Sequence, residues 1–379
     1  MKTKYILVLI LIFWVVIICL YGLLFREWVI QAYQGTAPAL FTNLINGMYP
    51  RFVVEKHRFP LAFFLNKADQ IFLRGSFVIL MVLAAAFLVK RKIWQRFTEK
   101  QCSIQHAHIL RLLFYSGLLY YTWDWIVDLQ RLSQLQAFYK PILIFKLMYL
   151  PLPGVWFFVI VYVIYMISIL EVIFRNKSVF SVIVAIIFTL MQGYFFSFEK
   201  IDHGYATLTY ATLLMPFFLR EVKQQNRERL INTWSLPAIQ IAIAGAYFFA
   251  GLEKVFTGGA SWATAHTFRT YLALHEVPLG LQVANNDFLS SLLPLLALLF
   301  QLGFPLILFF PKLRYIFLPG GIAFHTGTVL LFHIGAYFSP WIFVYIFYIN
   351  WGWVADKLSA YAFTSRCMNI LKLTPHNNT

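Results

Sequence analysis

Apolar residues along this chain fall into long runs that are separated by short polar segments. A run of about 20 apolar residues is long enough to cross a bilayer as a helix. Ten runs approach that length, at 5–25, 70–89, 107–127, 152–174, 178–198, 203–219, 234–253, 288–310, 313–334 and 338–355. The pattern therefore predicts an all-α fold, a polytopic transmembrane helical bundle of about nine or ten spans with no sizeable soluble domain.

The spans follow one another without an internal repeat or a low-complexity linker. We expect residues 1–360 to form a single transmembrane domain and residues 361–379 to form a cytoplasmic tail. The first run starts with the basic stretch MKTK, but no small-residue cleavage site follows it. It is therefore predicted to remain as a span and not to be removed as a signal peptide.

Composition supports a lipid environment. The 379 residues are 60% hydrophobic and only 12% charged, which leaves too little polar surface for a soluble domain of this length. In a soluble protein the net charge of +16 would suggest a nucleic acid partner. Here the lysines and arginines lie in short loops between apolar runs, so we interpret them as setting membrane orientation and expect no nucleic acid partner.

The distribution of positive charge predicts the orientation of the chain. The two densest clusters are KRKIWQR at 90–96 and REVKQQNRER at 220–229, and both fall on the same side when the ten runs alternate across the membrane. Because cytoplasmic loops carry an excess of lysine and arginine, that side is predicted to be cytoplasmic. Both termini are then cytoplasmic as well.

Several ionisable side chains converge on the extracytoplasmic half of the bundle under this topology. They are Lys254, His203, His325 and His333. Ionisable groups at membrane depth are costly, and they usually face a bundle interior or a cavity that serves a function. The extracytoplasmic half is therefore the predicted active zone.

Two interpretations of Lys254 follow from its position at the end of an apolar run. A lysine at a helix end can extend its stem along lipid and pair its amine with a carboxylate such as Glu199 or Asp202. Alternatively, an apolar pocket disfavours the charged form and leaves a neutral amine that accepts a proton from a weakly acidic substrate. The residues alone leave both interpretations open.

Three stretches of the chain match one known family in their order. They are AGLEKVF at 250–256 with the following Gly-rich spacing and Ser261-Trp262, IDHGYATLTYATLL at 201–214, and FHTGTVLLFHIGAYFSPWIFVYI at 324–346. Together they resemble the horizontally transferred transmembrane (HTTM) domain family, which includes the membrane module of vitamin K-dependent gamma-glutamyl carboxylases. The resemblance is strongest over residues 190–350.

The resemblance implies an integral membrane enzyme of the carboxylase type, a lyase. It implies that Lys254 is the base that deprotonates vitamin K hydroquinone or another quinol, while His203 and His325 donate hydrogen bonds to the quinol oxygens. The implied cofactor contacts are Trp262, Phe249, Tyr247 and His333. The modified substrate would be a peptide or a small molecule on the extracytoplasmic side.

The chain departs from the carboxylases at its end. It stops shortly after the last predicted span, whereas the carboxylases continue into a large extracytoplasmic region that engages the glutamate-containing substrate. Glutamate carboxylation is therefore doubtful for this chain alone. Membrane lipid and a lipid-soluble quinone are the expected partners, and a peptide substrate or a partner protein would supply substrate recognition.

Ordinary structural roles compete with these functional ones. Trp262 and Phe249 are typical of membrane interfaces and lipid contacts, and His325 can form an interhelical hydrogen bond. The alternative function is a non-catalytic HTTM membrane protein or a transporter that acts in the maturation or export of a secreted peptide.

No metal site is expected. His106 and His108 are two residues apart, so a helix directs them to different faces. His266 and His275 lie without a flanking acidic ligand pattern.

Overall fold

The computed structural model describes residues 3–48, 52–88, 100–198, 204–225, 230–258 and 262–359 of the chain. Within these residues the chain is helical apart from one two-stranded sheet. The predicted all-α fold is confirmed. The predicted tail at 361–379 lies outside the described residues.

The helices are numbered here along the described part of the chain. They are α1 Thr3–Leu20, α2 Arg26–Gln34, α3 Ala39–Met48, α4 Phe52–Glu55, α5 Leu61–Leu88, α6 Ile104–Thr122, α7 Trp125–Ser133, α8 Leu143–Leu147, α9 Val155–Arg175, α10 Ser178–Phe196, α11 Ala206–Gln224, α12 Ser235–Gly258, α13 Ala265–His275, α14 Pro278–Ala284, α15 Asp287–Gly303, α16 Leu306–Phe309, α17 Arg314–Phe332, α18 Pro340–Phe343 and α19 Trp351–Ser359. A π-helical segment, Tyr21–Phe25, joins α1 to α2, and short 3-10 segments occur at Gln136–Phe138, Pro311–Leu313 and Val344–Tyr348. Strands β1 Lys100–Ser103 and β2 Leu230–Thr233 pair antiparallel, with Lys100 opposite Thr233.

Five helical stretches of the described residues are long and apolar enough to cross a membrane. They are Ile12–Gln34, Val155–Arg175, Ser178–Phe196, Ser235–Phe256 and Pro311–Phe332. The pair α14 and α15, bent by 103° at a short break, makes a sixth if it counts as one span. These helices make the chain an integral membrane protein. The prediction of nine or ten spans concerns the whole chain, whereas these five or six are counted among the described residues only.

The last predicted span, 338–355, is wrong as a single helix. The chain instead forms the short helix α18, the 3-10 segment Val344–Tyr348, a break and then α19. This stretch is rich in aromatic and β-branched residues, which lose side-chain freedom in a helix and favour it weakly. A new helix starts where the Asn350 side chain accepts a hydrogen bond from the backbone N–H of Trp353.

The stretch between the seventh and eighth predicted spans contains two helices that the hydropathy pattern did not predict. Helices α13 and α14 meet at Glu276, whose φ of 53° lies in the left-handed region. Pro278 then occupies the first turn of α14, where its missing N–H costs nothing. Both helices are shorter than a membrane crossing requires.

The chain divides into two compact units. The first consists of residues 1–96, 135–152 and 196–198, and the second consists of 97–134, 153–195 and 199–379.

The first unit has an aromatic core near the ends of α2 and α5. Its buried members are Val29, Ala32, Phe41, Phe52 and Phe64. Before and at the start of α2, the hydroxyl of Tyr21 in the π-helical segment donates to the Asp69 carboxylate of α5 at 2.6 Å, and the Arg26 guanidinium lies 3.6 Å from the same oxygen. The polar groups of this helix pair therefore satisfy one another.

The second unit is built around α6. Leu110, Phe114 and Leu118 of this helix are fully buried, although its sequence is less apolar than that of α9, which packs along it. Helices α9 and α19 pack along α6, and α12 packs between α11 and α15. Helix α6 is thus less apolar than α9 and is still largely enclosed, because protein and not lipid surrounds it.

A carboxylate ties the end of α11 to the start of α12. Glu221 accepts hydrogen bonds from the hydroxyls of Thr233 and Ser235, both at 2.5 Å, and from the backbone N–H of Trp234 at 3.2 Å. Thr233 and Ser235 are fully buried or nearly so. Hydrogen bonds to a charged acceptor are stronger than neutral ones, so this junction orients the long helix α12.

Replacing Glu221 with glutamine is expected to lower the free energy of unfolding by about 1–3 kcal/mol, since the charged acceptor is lost while the buried hydroxyls remain. Thermal unfolding of the purified protein in detergent measures this. Glu276→Gln, at an exposed turn, is the matched control and should leave the midpoint unchanged. Equal midpoints for the two variants would contradict the role given to Glu221.

Candidate functional site

Helix α12 carries three polar side chains at intervals of seven residues: Gln240, Tyr247 and Lys254. Seven residues make nearly two helical turns, so the three side chains lie on one face and are separated by about 10.5 Å along the axis at each step. Each of them is placed in a different environment. The helix thus presents three polar levels to the interior of the second unit.

The middle level is a hydrogen-bonded group of three side chains. The Tyr247 hydroxyl lies 2.8 Å from Nε2 of His325 on α17 and 2.7 Å from the hydroxyl of Tyr345. Tyr247 is 1% exposed and Tyr345 is 4% exposed, so these bonds form away from water. A phenol bonded to an imidazole can pass a proton or hold a ligand oxygen, depending on which ring nitrogen carries the hydrogen.

Aromatic rings enclose this group. Tyr247 stacks on Phe304 with the ring centres 4.4 Å apart and meets the edge of Trp341 at 4.9 Å. The His325 ring stacks on the same Trp341 at 5.9 Å. Such contacts fix the orientation of both polar rings and exclude water from them.

Two glycines allow the helices to approach this face. A Cβ at Gly321, one turn before His325, would occupy the position of the Tyr345 hydroxyl. A Cβ at Gly251, one turn after Tyr247, would come within 3.0 Å of the Gln301 side chain on α15. At Gly321 there is no room for a side chain unless Tyr345 moves, whereas at Gly251 the neighbouring side chains would have to shift by a few tenths of an ångström.

Lys254 forms the third level and is half-buried. Its amine donates to the backbone carbonyl of Ala250 at 3.3 Å and lies 5.0 Å from the centre of the Trp262 ring. No carboxylate among the described residues forms an ion pair with it. Because helical side chains tilt toward the N-terminus, the amine lies about one turn nearer to the Tyr247 level than its own Cα does.

Gln301 adds an unmet hydrogen-bond acceptor beside this face. The side chain is 5% exposed, and its Oε1 atom has no hydrogen-bond partner among the described residues. Since Gly251 lies between the Tyr247 and Lys254 turns, Gln301 lies beside the same interval of α12. A buried acceptor without a donor costs free energy that a bound ligand could recover.

The structure brings some of the predicted residues together and not others. Tyr247 bonds to His325, and Lys254 meets Trp262. Phe249 lies apart from these contacts: it is half-exposed and packs on the ring of Phe248.

The two other predicted histidines lie apart from this cluster or outside the description. His333 is exposed and ends α17 with a left-handed φ of 52°. His203 lies outside the described residues.

Sequence reasoning missed Tyr345 and Gln301. The seven-residue spacing of the polar residues indicates the polar face of α12 from the sequence alone. The side chains that contact this face, however, lie 50 to 98 residues farther along the chain. Among the residues that the structure describes, no three histidine, cysteine or carboxylate side chains are arranged to hold a metal ion.

These features define a helical integral membrane protein with a polar group enclosed in its interior. Residues 219–353 match the family model described as the HTTM domain. This part of the chain is therefore similar to the HTTM domain, and the family resemblance predicted from its residues is confirmed. The matched region includes Tyr247, Lys254 and His325, and it does not include His203. Comparison with curated proteins and with solved structures gave no significant match.

The close approach at Gly321 yields a prediction. Gly321→Ala would displace the Tyr345 hydroxyl from its bond with Tyr247, so the free energy of unfolding should fall by about 1–3 kcal/mol. Gly327→Ala in the same helix meets no atom within 4 Å and should be neutral or stabilising by about 1 kcal/mol. Thermal unfolding of both variants checks this, and an equal loss in both would show that the contact at Gly321 is not limiting.

Proposed function

We propose that this protein is a membrane-embedded enzyme in which Lys254 takes a proton from vitamin K hydroquinone or another quinol. The quinol would enter from the lipid, and a peptide or small substrate would be modified on the extracytoplasmic side. The observation that carries the proposal is the placement of the Lys254 amine. It is half-buried, it forms no ion pair with a described carboxylate, and it shares a helix face with the Tyr247–His325 pair.

The proposed step is a single proton transfer. The hydroxyl proton of the quinol passes to the neutral amine of Lys254 and leaves a quinolate anion and an ammonium. The face of the Trp262 ring, 5.0 Å from the amine, then stabilises the ammonium that has formed. A quinol is too weak an acid to give its proton to water at neutral pH. A positioned neutral amine is a stronger base than water and can accept that proton.

The neighbouring polar groups support binding of a flat ring with two oxygens. Gln301 Oε1 offers a buried acceptor to one hydroxyl, and the Tyr247–His325 pair offers hydrogen bonds to an oxygen or to the developing anion. The rings around Tyr247 supply the apolar surface that cofactor sites commonly use. This arrangement favours a lipid-soluble quinol over a water-soluble, multiply charged cofactor.

A transporter or non-catalytic membrane protein is the second candidate, and one observation favours it. Helices α14 and α15 form a pair bent by 103°, as expected of a broken span. Broken helices near mid-membrane are typical of transporter substrate sites. Such a protein would act in the maturation or export of a secreted peptide, and Lys254 would then be an anchor or a substrate contact.

Substitution of Lys254 separates a base from a fixed charge. Lys254→Met removes the proton acceptor, and Lys254→Arg keeps the charge but cannot release its proton, so both should lower the rate by at least about 10²-fold. The measurement is consumption of vitamin K hydroquinone by the full chain in lipid nanodiscs, followed by chromatography of the quinone products.

The matched control is Lys357→Met, an exposed lysine of α19 that should retain the wild-type rate. Folding of every variant is verified by its thermal unfolding midpoint. If Lys254→Arg consumes the quinol as fast as the wild type, the base role is wrong.

Gln301 gives a test in which stability and binding change in opposite directions. Gln301→Leu removes a buried acceptor that has no partner, so the thermal midpoint should stay equal or rise. The same change removes a hydrogen bond to the cofactor, so vitamin K hydroquinone should bind roughly fivefold or more weakly. A fall in stability with unchanged binding would assign Gln301 to packing only.

A further inference from the structure

The Tyr247 group can hold its hydrogens in two ways. The Tyr247 hydroxyl has two neighbours, Nε2 of His325 at 2.8 Å and the Tyr345 hydroxyl at 2.7 Å. In the first arrangement Tyr345 donates to Tyr247, and Tyr247 donates to Nε2. In the second, the Nε2–H group donates to Tyr247, and Tyr247 donates to Tyr345. The imidazole therefore carries its hydrogen on Nδ1 in the first arrangement and on Nε2 in the second.

The His325 ring is neutral in both arrangements. Its ring centre lies 5.0 Å from that of Phe324 and 5.9 Å from that of Trp341, so its surroundings are largely aromatic. Among the residues that the structure describes, no carboxylate forms an ion pair with it. A charge enclosed without a partner is costly, so the doubly protonated ring is disfavoured.

The first arrangement makes the stronger hydrogen bond at His325. A neutral imidazole nitrogen is a stronger base than a phenol oxygen, and a stronger base is the better acceptor. The Tyr247 phenol therefore pairs more favourably when it is the donor and Nε2 is the acceptor. Donation from Tyr345 to the Tyr247 oxygen strengthens that bond further, because hydrogen bonds in a chain polarise one another.

Burial favours the same arrangement. Each arrangement leaves one hydrogen without an acceptor among the three side chains. In the second it is the hydroxyl hydrogen of Tyr345, which is 4% exposed, packs against Gly321 and has no other partner among the described residues. In the first it is Nδ1–H of His325, which is half-buried and carries Nδ1 on the side of its ring away from Tyr247. An unmet donor is less costly where a ligand can reach it.

The spacing along α12 suits one ligand between Nδ1–H and Lys254. The Tyr247 and Lys254 levels are separated by seven residues, about 10.5 Å along the axis. The two hydroxyls of a hydroquinone lie on opposite sides of its ring. One molecule with a hydrogen bond at each oxygen therefore spans roughly this step, with one oxygen at the amine and the other at the His325 level.

We propose that Tyr247 is a positioning residue that holds His325 as the Nδ1–H tautomer, so that Nδ1–H donates to the second oxygen of the quinol. The identity of the ligand rests on the proposed function, whereas the tautomer is a property of the protein alone. A donor that is fixed before the ligand arrives stabilises the anion that proton transfer to Lys254 leaves behind.

The tautomer is measured by solid-state NMR of the full chain in lipid vesicles, with isotope-labelled histidine. The signals of His325 are assigned by their loss in His325→Gln. The carbon shifts of Cγ and Cδ2 distinguish an Nδ1–H ring from an Nε2–H ring. We expect a single Nδ1–H form in the wild type without ligand.

Tyr247→Phe removes the donor to Nε2, so the Nδ1–H form should no longer be the single form, and signals of the Nε2–H ring should appear. Tyr315→Phe, 85% exposed on the same helix as His325, is the matched control and should keep the Nδ1–H form. An Nε2–H or doubly protonated ring in the wild type overturns the positioning role, and so does an unchanged spectrum in Tyr247→Phe. If Tyr247→Phe does not fold, the wild-type spectrum decides alone.

Vitamin K hydroquinone is then added in the absence of oxygen, and its binding is followed separately by the thermal unfolding midpoint. We expect the Nδ1 resonance of His325 to shift as the ligand binds. A rise in the midpoint with an unchanged Nδ1 resonance overturns the donor role. If neither changes while the Nδ1–H tautomer is present, the proposed function is refuted and the positioning role of Tyr247 stands.

Discussion

The hydrogen bonds of the Tyr247 hydroxyl are the interaction on which the arrangement of the site depends. They join α12 to α17 through His325 and to the segment Val344–Tyr348 through Tyr345. A polar side chain enclosed in a membrane protein has no water to bond, so its partners must come from the chain itself. Three segments that are distant in the sequence therefore hold fixed positions around one oxygen atom.

The three levels of α12 differ in how completely the protein satisfies them. At the first level, the Gln240 side chain donates to the Phe347 carbonyl, and the Tyr348 hydroxyl donates to the Gln240 carbonyl. The second level, at Tyr247, is paired on both sides. The Lys254 amine at the third level has one backbone carbonyl and the face of an aromatic ring. A ligand is therefore expected to react at the third level, because the protein supplies the fewest hydrogen-bond partners there.

Side chains with unmet hydrogen-bonding atoms lie near both ends of this helix. Near Lys254, Gln301 holds an unmet acceptor, which suits a ligand that donates hydrogen bonds. Near Gln240, the Nε atom of Arg314 is enclosed and has no acceptor among the described residues. The Tyr247 group lies between them and gives the helix a rigid centre, because its hydrogen bonds join three segments of the chain.

Hydrophobic length alone predicted most of the long helices, including α6, but it did not predict how α6 is enclosed, and it failed for the run at 338–355. Helix α6 contains His106, His108 and Arg111, and it is nevertheless enclosed in the second unit, since other helices and not lipid surround it. The run at 338–355 has the composition of a span, yet it breaks into three short pieces. Its aromatic side chains gain more from packing into the bundle than the backbone gains from one continuous helix.

The sequence by itself determined the lipid environment, the helical class and the HTTM resemblance, and it singled out Lys254, Tyr247 and His325. These follow from composition, from the length of apolar runs and from local motifs, none of which requires knowledge of the three-dimensional structure. Only the tertiary structure decided that Tyr345, Gln301 and Trp262 complete the surroundings of those residues and that Phe249 and His333 do not. Contacts of this kind depend on which helices approach one another, and close approach is set by the missing side chains at Gly251 and Gly321 together with the packing of rings across the bundle.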